Sequence, residues 1–149
     1  MANVRKSVLV PFGSAAMFHL VDRVEDYPAF LPWCGGSEVL QRDDATTKAR
    51  IDIDFRGVRQ SFTTLNRKEG NEWIYLELVE GPFKALSGHW HFTPLSDEAC
   101  RVELALQYAF AGAMMGTLIG PVFDYIADSL IERFVARAEA LHANGAGKS

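Results

Sequence analysis

The apolar residues near the C-terminus recur at steps of three and four from Ala113 to Ala143. This spacing places side chains on one face of an α-helix. Because proline suits the first helical turn, we expect the main helix to begin at Pro121, after a looser or kinked lead-in, and to stop at Asn144-Gly145. From Pro121 to Ala143 it would be about 34 Å long, so it needs a large apolar surface to cover it. The predicted apolar face comprises Met115, Leu118, Ile119, Val122, Phe123, Ile126, Leu130, Phe134, Ala138 and Leu141.

The N-terminal part of the chain predicts one strand followed by one or two short helices. Alternation from Val4 to Val10 indicates the strand, and Ser14 can cap the first helix. The segment from Asp26 to Gly36 is too rich in proline and aromatic residues to extend that helix, so we expect a short helical turn and an ordered loop. In the first helix the expected inward residues are Met17, Phe18 and Val21, and the expected outward ones are Asp22 and Arg23.

Residues Ser37 to Phe110 predict six further strands, because apolar and polar side chains alternate along them. Consecutive strands joined by short turns are antiparallel neighbours. The resulting sheet has one apolar face, which only the terminal helix is long enough to cover. We therefore predict an α+β fold in which a seven-stranded antiparallel sheet wraps around the helix and leaves an apolar cavity. The predicted turns are Asp43-Asp44, Arg56-Gly57, Gly70-Asn71, Gly81-Pro82 and Ser96-Asp97.

Length and charge restrict the class of protein. The 149 residues suit a single domain spanning 1–149, with a disordered tail from about residue 144 to 149. The net charge of −4 provides no global attraction to nucleic acid or to an anionic membrane. No secretory signal or membrane-spanning run is recognisable, so we expect a cytoplasmic protein, with peripheral contact to the inner membrane left open. Cys34 and Cys100 lack metal-ligand spacing and are expected to be reduced core residues.

Three segments resemble the coenzyme Q-binding START-like family of the SRPBCC superfamily. They are Val24-Glu-Asp-Tyr-Pro-Ala-Phe-Leu-Pro-Trp-Cys34, Glu80-Gly-Pro-Phe-Lys-Ala-Leu-Ser-Gly-His-Trp-His-Phe92 and the stretch Phe123–Arg137. Bacterial members are also called oligoketide cyclase-like proteins or ribosome-association toxins. The resemblance implies a helix-grip fold of the START/Bet v 1 type. It further implies binding of a polyprenyl quinone, most simply ubiquinone, as a carrier or chaperone supporting respiration. The ribosome label implies instead association with the large ribosomal subunit, which blocks joining of the small one.

A site for such a ligand needs a deep apolar wall and a few polar groups that fix the head group. Sheet and helix side chains can supply the wall, although each one can equally be an ordinary core residue. No cofactor other than the bound ligand is expected. The candidate wall residues are Trp90, Phe92, Leu104, Leu106, Met115, Leu118, Ile119, Val122, Phe123 and Ile126.

Aromatic residues in proline-containing loops predict the mouth of the cavity, where an isoprenoid tail enters or a membrane is touched. The alternative is that these loops plug the end of the sheet. Gly112, Gly116 and Gly120 would let the helix lead-in flex as a gate or pack closely against a strand. The candidate mouth residues are Tyr27, Phe30, Leu31, Trp33 and Phe83.

The polar candidates are few. Tyr108 shares a strand face with two wall leucines, so it is the first candidate for a quinone head group. Tyr75 and Glu77 qualify only if their strand turns Trp73, and not Ile74, toward the cavity. The pair His89 and His91 has the spacing of a metal site but is expected to point outward. No catalytic constellation is recognisable, so a polyketide cyclase or aromatase-like enzyme is the third hypothesis, after carrier and ribosome-binding protein.

The span Arg42–Lys68 contains seven basic and four acidic residues. If its strands are neighbours, several basic side chains share the outer face and could contact rRNA phosphates. A solvated face with interspersed charges is the alternative. The candidate rRNA contacts are Arg56, Arg59, Arg67 and Lys68.

Overall fold

The protein is described by a computed structural model that covers residues 1–146, with side chains described to residue 142. Seven strands form one antiparallel sheet in the order β1-β7-β6-β5-β4-β3-β2. Strand β1 lies beside β7, where Val4 is opposite Leu106. This confirms the predicted α+β fold with a helix that covers the sheet. The strands are β1 Ala2–Val10, β2 Cys34–Arg42, β3 Thr46–Phe55, β4 Val58–Glu69, β5 Trp73–Glu80, β6 Phe83–Ser96 and β7 Ala99–Phe110.

Two short helices follow β1, as the sequence predicts. Helix α1 spans Ser14–Asp22, and a 3₁₀ helix spans Val24–Ala29. The expected cap is wrong: Gly13 occupies the N-cap, so Ser14 is the first helical residue and its side chain caps nothing. Met17, Phe18 and Val21 are buried as expected.

Asp22 was predicted to face solvent, but it does not. Its carboxylate accepts hydrogen bonds from Thr47 Oγ1 at 2.9 Å and from Lys68 Nζ at 3.4 Å. Arg42 adds a bond from Nη2 to the Asp22 backbone carbonyl at 2.7 Å. These contacts join the end of α1 to β2, β3 and β4.

The hairpin between β3 and β4 turns at Arg56 and Gly57, as predicted. Both residues have positive φ angles, 51° and 80°. A two-residue turn with two positive φ values matches the right-handed twist of the flanking strands. The turn keeps Phe55 opposite Val58 and fixes the register of the whole hairpin.

Helix α2 spans Ala113–Ala146, a length of about 50 Å at the α-helical rise. It therefore begins eight residues before Pro121 and continues through Asn144-Gly145, which corrects both predicted ends. Residues 147–149 of the predicted tail lie outside the described residues. A Cβ added at Gly116 or Gly120 would lie 3.8 Å from the Phe110 ring, an ordinary van der Waals distance. These turns therefore lie beside the end of β7, but not so close to it that glycine is required.

One hydrophobic core fills the space between the inner face of the sheet, α1, the 3₁₀ helix and α2. Inward side chains alternate along each strand, so Ile74 on β5 and Trp90 on β6 are buried while their chain neighbours are not. The buried positions of α2 lie along one face of the helix, at the spacing of its turns. They are Ile119, Gly120, Val122, Phe123, Ile126, Ala127, Ile131, Phe134 and Ala138.

Candidate functional site: an apolar cavity between sheet and helix

An apolar cavity of about 80 Å³ lies between the inner face of the sheet and α2. Its lining includes one residue of α1, two of the 3₁₀ helix and four of α2. None of the described side chains that line it carries a charge. The lining residues are Val21, Val24, Tyr27, Trp33, Ile51, Phe62, Thr64, Asn66, Leu76, Leu86, Trp90, Leu106, Phe123, Ile126, Leu130 and Phe134.

Aromatic rings meet edge to face around Phe134 on α2. The centroid of its ring lies 5.3 Å from that of Tyr27 and 5.2 Å from that of Trp90. Phe30 contacts the same ring at 5.3 Å from outside the cavity. These contacts fix three elements around one wall, since edge-to-face pairs of this separation are favourable.

The structure brings one third of the predicted ligand-binding residues to the cavity. These are Tyr27, Trp33, Trp90, Leu106, Phe123 and Ile126. Contact with a ligand stays a prediction for each of them. The residues that pack in or against the core without lining the cavity are Phe30, Leu31, Phe83, Phe92, Leu104, Met115, Ile119 and Val122.

Three predicted positions are wrong because their side chains face away from the cavity. Strand β5 turns Ile74 inward, so Tyr75 and Glu77 lie on the outer face of the sheet. Leu118 is 59% exposed, because the apolar stripe of α2 is wider than the part that meets the sheet.

Tyr108 is buried as predicted, but its hydroxyl is already occupied. It donates a hydrogen bond to Asp124 Oδ1 on α2 at 2.6 Å. Burial raises the pKa of Tyr108 above its ordinary range, and the Asp124 carboxylate raises it further. The phenol therefore stays protonated and ties β7 to α2, outside the cavity lining.

The polar part of the cavity was not predicted from the sequence. Thr64 and Asn66 lie on the inner face of β4, and Thr64 Oγ1 donates to Asn66 Oδ1 at 2.8 Å. Their positions follow from alternation, because they continue the inward series that begins at Phe62. The missed apolar residues are Val21, Val24, Ile51, Phe62, Leu76, Leu86, Leu130 and Phe134.

The other candidate reactive groups lie apart from the cavity or are unreactive. Cys34 and Cys100 are buried and unpaired, and burial raises the pKa of Cys34 to about 11, so its thiol stays neutral. His91 contacts Glu103 at 3.0 Å and Glu72 at 3.2 Å on the outer face. Within residues 1–146, no group of three His, Cys, Asp or Glu side chains is placed to hold a metal ion.

Three of the four predicted rRNA contacts are exposed. Arg59 and Arg67 are exposed on the outer side of β4, where Arg67 lies 5.3 Å from the Tyr75 ring centroid. Arg56 is exposed and lies over the rings of Phe55 and Tyr125 at 4.8 and 5.2 Å.

Lys68 is wrongly placed by the prediction. Its side chain is 7% exposed and pairs with Asp22 on the inner side of the sheet. It shares that side with Asn66, two residues earlier on β4.

Over the described part of the chain, no helix combines the length and the apolar character that a membrane crossing requires.

Residues 10–135 match the family described as polyketide cyclase/dehydrase and lipid transport. A relative from Vibrio cholerae, named ribosome association toxin RatA, is 40% identical over 95% of this chain and 99% of its own. The mitochondrial coenzyme Q-binding protein coq10 of Schizosaccharomyces pombe is 28% identical over 93% of this chain and 87% of its own.

Two solved structures share the fold. An 18 kDa protein from Caulobacter crescentus is 32% identical, with a TM-score of 0.72 over 96% of this chain and 99% of that one. The ZhuI aromatase/cyclase from Streptomyces sp. R1128 has a TM-score of 0.77 over 93% of both chains, but its identity of 16% extends the likeness to the fold alone. By its matched length and its relatives, this chain belongs to the polyketide cyclase/dehydrase and lipid transport family, and it is similar to proteins named for ribosome association and for coenzyme Q binding.

Proposed function

We propose that this protein associates with the ribosome. The observation that carries the proposal is the 40% identity, over 95% of the chain, to a relative named ribosome association toxin. That likeness supports ribosome association better than the quinone-carrier hypothesis, because the relative named for coenzyme Q binding is 28% identical. A ribosome-bound role would place the protein in the cytoplasm. Binding to the large subunit, with a block of subunit joining, is the specific form of the proposal.

Two exposed arginines of β4, on the outer face of the sheet, are the proposed contact with rRNA. Arg59 and Arg67 lie on the same side of β4 and project away from the cavity. The only carboxylate within ion-pair distance of Arg59 among the described residues is Asp54, at 3.6 Å, and both side chains are largely exposed. Exposed pairs of this kind are weak, so phosphate groups can compete for the guanidinium.

The test is co-sedimentation with purified large subunits in sucrose gradients. The double variant Arg59→Glu/Arg67→Glu should lose association by tenfold or more, because each reversal replaces attraction to phosphate with repulsion. The matched control Lys84→Glu/Arg101→Glu makes the same charge change at other exposed positions and should bind nearly as wild type. Absence of wild-type co-sedimentation would contradict the function; equal loss in both variants would contradict the assigned surface.

A second candidate function is binding of a hydrophobic ligand, which the apolar cavity favours. A polyprenyl quinone is the proposed ligand, supported by the coq10 relative. The cavity of about 80 Å³ is smaller than a cavity of about 150 Å³ that holds benzene, so side chains or α2 must move to admit a ring. Peripheral membrane contact through exposed Met114 and Leu118 would suit delivery of such a ligand. The proposed role is that of a carrier, without catalysis.

Native mass spectrometry of the protein from its own cells, followed by solvent extraction, tests this second function. A stoichiometric polyprenyl quinone is the expected result. The variant Leu76→Trp should fill the cavity and remove the lipid, whereas Leu118→Trp should not, because Leu118 faces solvent. A protein that carries no lipid and takes up none when offered a quinone would contradict the carrier role.

A further inference from the structure

The cavity contains hydrogen-bond donors that the protein itself does not use. The indole Nε1–H of Trp33 is buried and has no hydrogen-bond partner among residues 1–146. Trp33 is 2% exposed and lines the cavity. Buried donors are almost always paired, so an unpaired one at a cavity wall points to an acceptor supplied from outside the chain.

The Trp33 backbone is held on both sides. Its carbonyl accepts from the Asp54 amide at 3.0 Å, and the next amide, of Cys34, donates to the Leu31 carbonyl at 3.0 Å. Pro32, the residue before Trp33, has a φ angle fixed by its ring. The chain therefore fixes the backbone from which the indole extends, and the unpaired donor belongs to a residue of the cavity lining.

The other polar groups of the cavity also leave donors free. The Tyr27 hydroxyl donates a hydrogen bond to the Val21 carbonyl, and the Thr64 hydroxyl donates one to Asn66 Oδ1. The Asn66 carboxamide still has two N–H bonds to offer, since its oxygen is the atom that Thr64 contacts. The available hydrogen-bonding capacity is thus weighted toward donors.

The charge of the lining restricts the ligand further. No described lining residue carries a positive or a negative charge, so a carboxylate would be buried without a counter-ion. A hydrocarbon would leave the Trp33 donor unsatisfied. A neutral carbonyl group on an apolar body satisfies both conditions.

We propose that the unpaired Trp33 Nε1–H forms a subsite that selects neutral carbonyl-bearing hydrophobic ligands over hydrocarbons and over fatty acids. The inference rests on the second proposed function, ligand binding in this cavity, and specifies the chemistry of its ligand. A carbonyl oxygen of a ketone or a quinone accepts the hydrogen bond from Trp33 Nε1–H. The apolar wall contacts the rest of the ligand once side chains or α2 have moved to admit it.

A matched pair of probes tests the subsite. Benzophenone and diphenylmethane have nearly the same shape and differ by a carbonyl in place of a CH₂ group. Dissociation constants are measured by displacement of a fluorescent apolar dye from the full-length protein. We expect wild type to bind benzophenone about three- to tenfold more tightly, the worth of one net hydrogen bond. Benzoate-type carboxylates of the same size should bind more weakly than either.

Two variants assign the preference to the donor. Trp33→Phe removes the N–H but keeps an aromatic ring, so the ratio of the two dissociation constants should fall to about one. Phe62→Leu alters the same wall without removing a donor, so the ratio should persist even if both affinities change. Equal wild-type affinities for the two probes, or a ratio that survives Trp33→Phe, would overturn the subsite and leave ligand binding intact. Failure of wild type to bind either probe would overturn the ligand-binding function together with the subsite.

Discussion

At the scale of single residues, Arg42 holds the carboxylate of Glu25 with hydrogen bonds of 2.6 and 2.8 Å. This contact, with Arg42 as the main cause, lowers the pKa of Glu25 from 4.5 to about 2. Because the folded pKa is depressed, the pair stabilises the protein above about pH 4.5 and the stabilisation is lost as the pH falls toward 2.

Glu25→Gln should therefore destabilise the protein by about 1 kcal/mol at pH 7, a value reduced because both side chains are about one third exposed. The difference from wild type should vanish near pH 2. Urea denaturation at several pH values measures it, and a difference that does not depend on pH would contradict the ion-pair explanation.

Lys68 allows a second residue-scale prediction, with a control one position away. Lys68→Met should lower the free energy of unfolding by about 1–3 kcal/mol, because it leaves the partly buried Asp22 carboxylate without its ammonium partner. Arg67→Met, on the opposite side of β4, should change it by less than about 0.5 kcal/mol. Equal urea midpoints for Lys68→Met and wild type would show that Thr47 and Arg42 alone satisfy Asp22.

The side of β4 on which Lys68 lies could have been predicted from the sequence. The count of basic residues in Arg42–Lys68 did not consider which face each side chain occupies. Phe62 is inward on β4, and the alternation of a strand then places Thr64, Asn66 and Lys68 on the same side. What the sequence could not supply is the partner, since Asp22 lies 46 residues earlier on another element. The face of a residue is local information, whereas its contacts depend on how the elements pack.

At the scale of elements, helix α2 contains a proline whose removal should be favourable. Pro121 has no N–H, so the carbonyl of Thr117 lacks the helical donor four residues later. Pro121 is exposed, so Pro121→Ala loses no core packing. We expect a gain of about 1–2 kcal/mol, after allowing for the greater freedom of the unfolded chain. Amides from residue 115 to 120 should exchange more slowly with solvent; unchanged exchange would show that the helix already tolerates the proline.

Two positions four residues apart on α2 separate surface from core. Leu118→Asp should leave the free energy of unfolding within about 0.5 kcal/mol of wild type, because Leu118 is 59% exposed. Val122→Asp should cost several kcal/mol, because it buries an unpaired carboxylate. Thermal denaturation compares them. A large loss of stability in Leu118→Asp would indicate that this face of α2 is covered in solution.

Periodicity predicted the number of strands, their antiparallel order and the apolar face of α2. It could not locate the cavity along the helix axis, because a repeat of three and four specifies a direction around the axis and not a height. The predicted wall therefore began at Met115, whereas the cavity meets α2 from Phe123 to Phe134. The beginning of α2 was missed because Pro121 was taken as a first-turn residue, whereas the structure places it inside the helix.

At the scale of the whole molecule, the sheet separates the two proposed functions. The cavity lies on its inner face, and Arg59 and Arg67 lie on its outer face. Phosphate contacts weaken steeply with salt, whereas an uncharged cavity has no such dependence. Raising the salt concentration from 50 to 200 mM should therefore reduce ribosome co-sedimentation and leave the dissociation constant for benzophenone nearly unchanged.

The same separation predicts opposite losses in two variants. Leu76→Trp should abolish ligand uptake and still co-sediment with large subunits, whereas Arg59→Glu/Arg67→Glu should do the reverse. Leu76 is the informative position, because it lines the cavity from β5 while its chain neighbours Tyr75 and Glu77 face outward. If a folded Leu76→Trp variant loses ribosome association, the two faces are coupled and not independent. If bound ligand changes the affinity for ribosomal subunits by some factor, linkage requires that subunits change the ligand affinity of wild type by that same factor. A titration of benzophenone with and without subunits measures this factor directly.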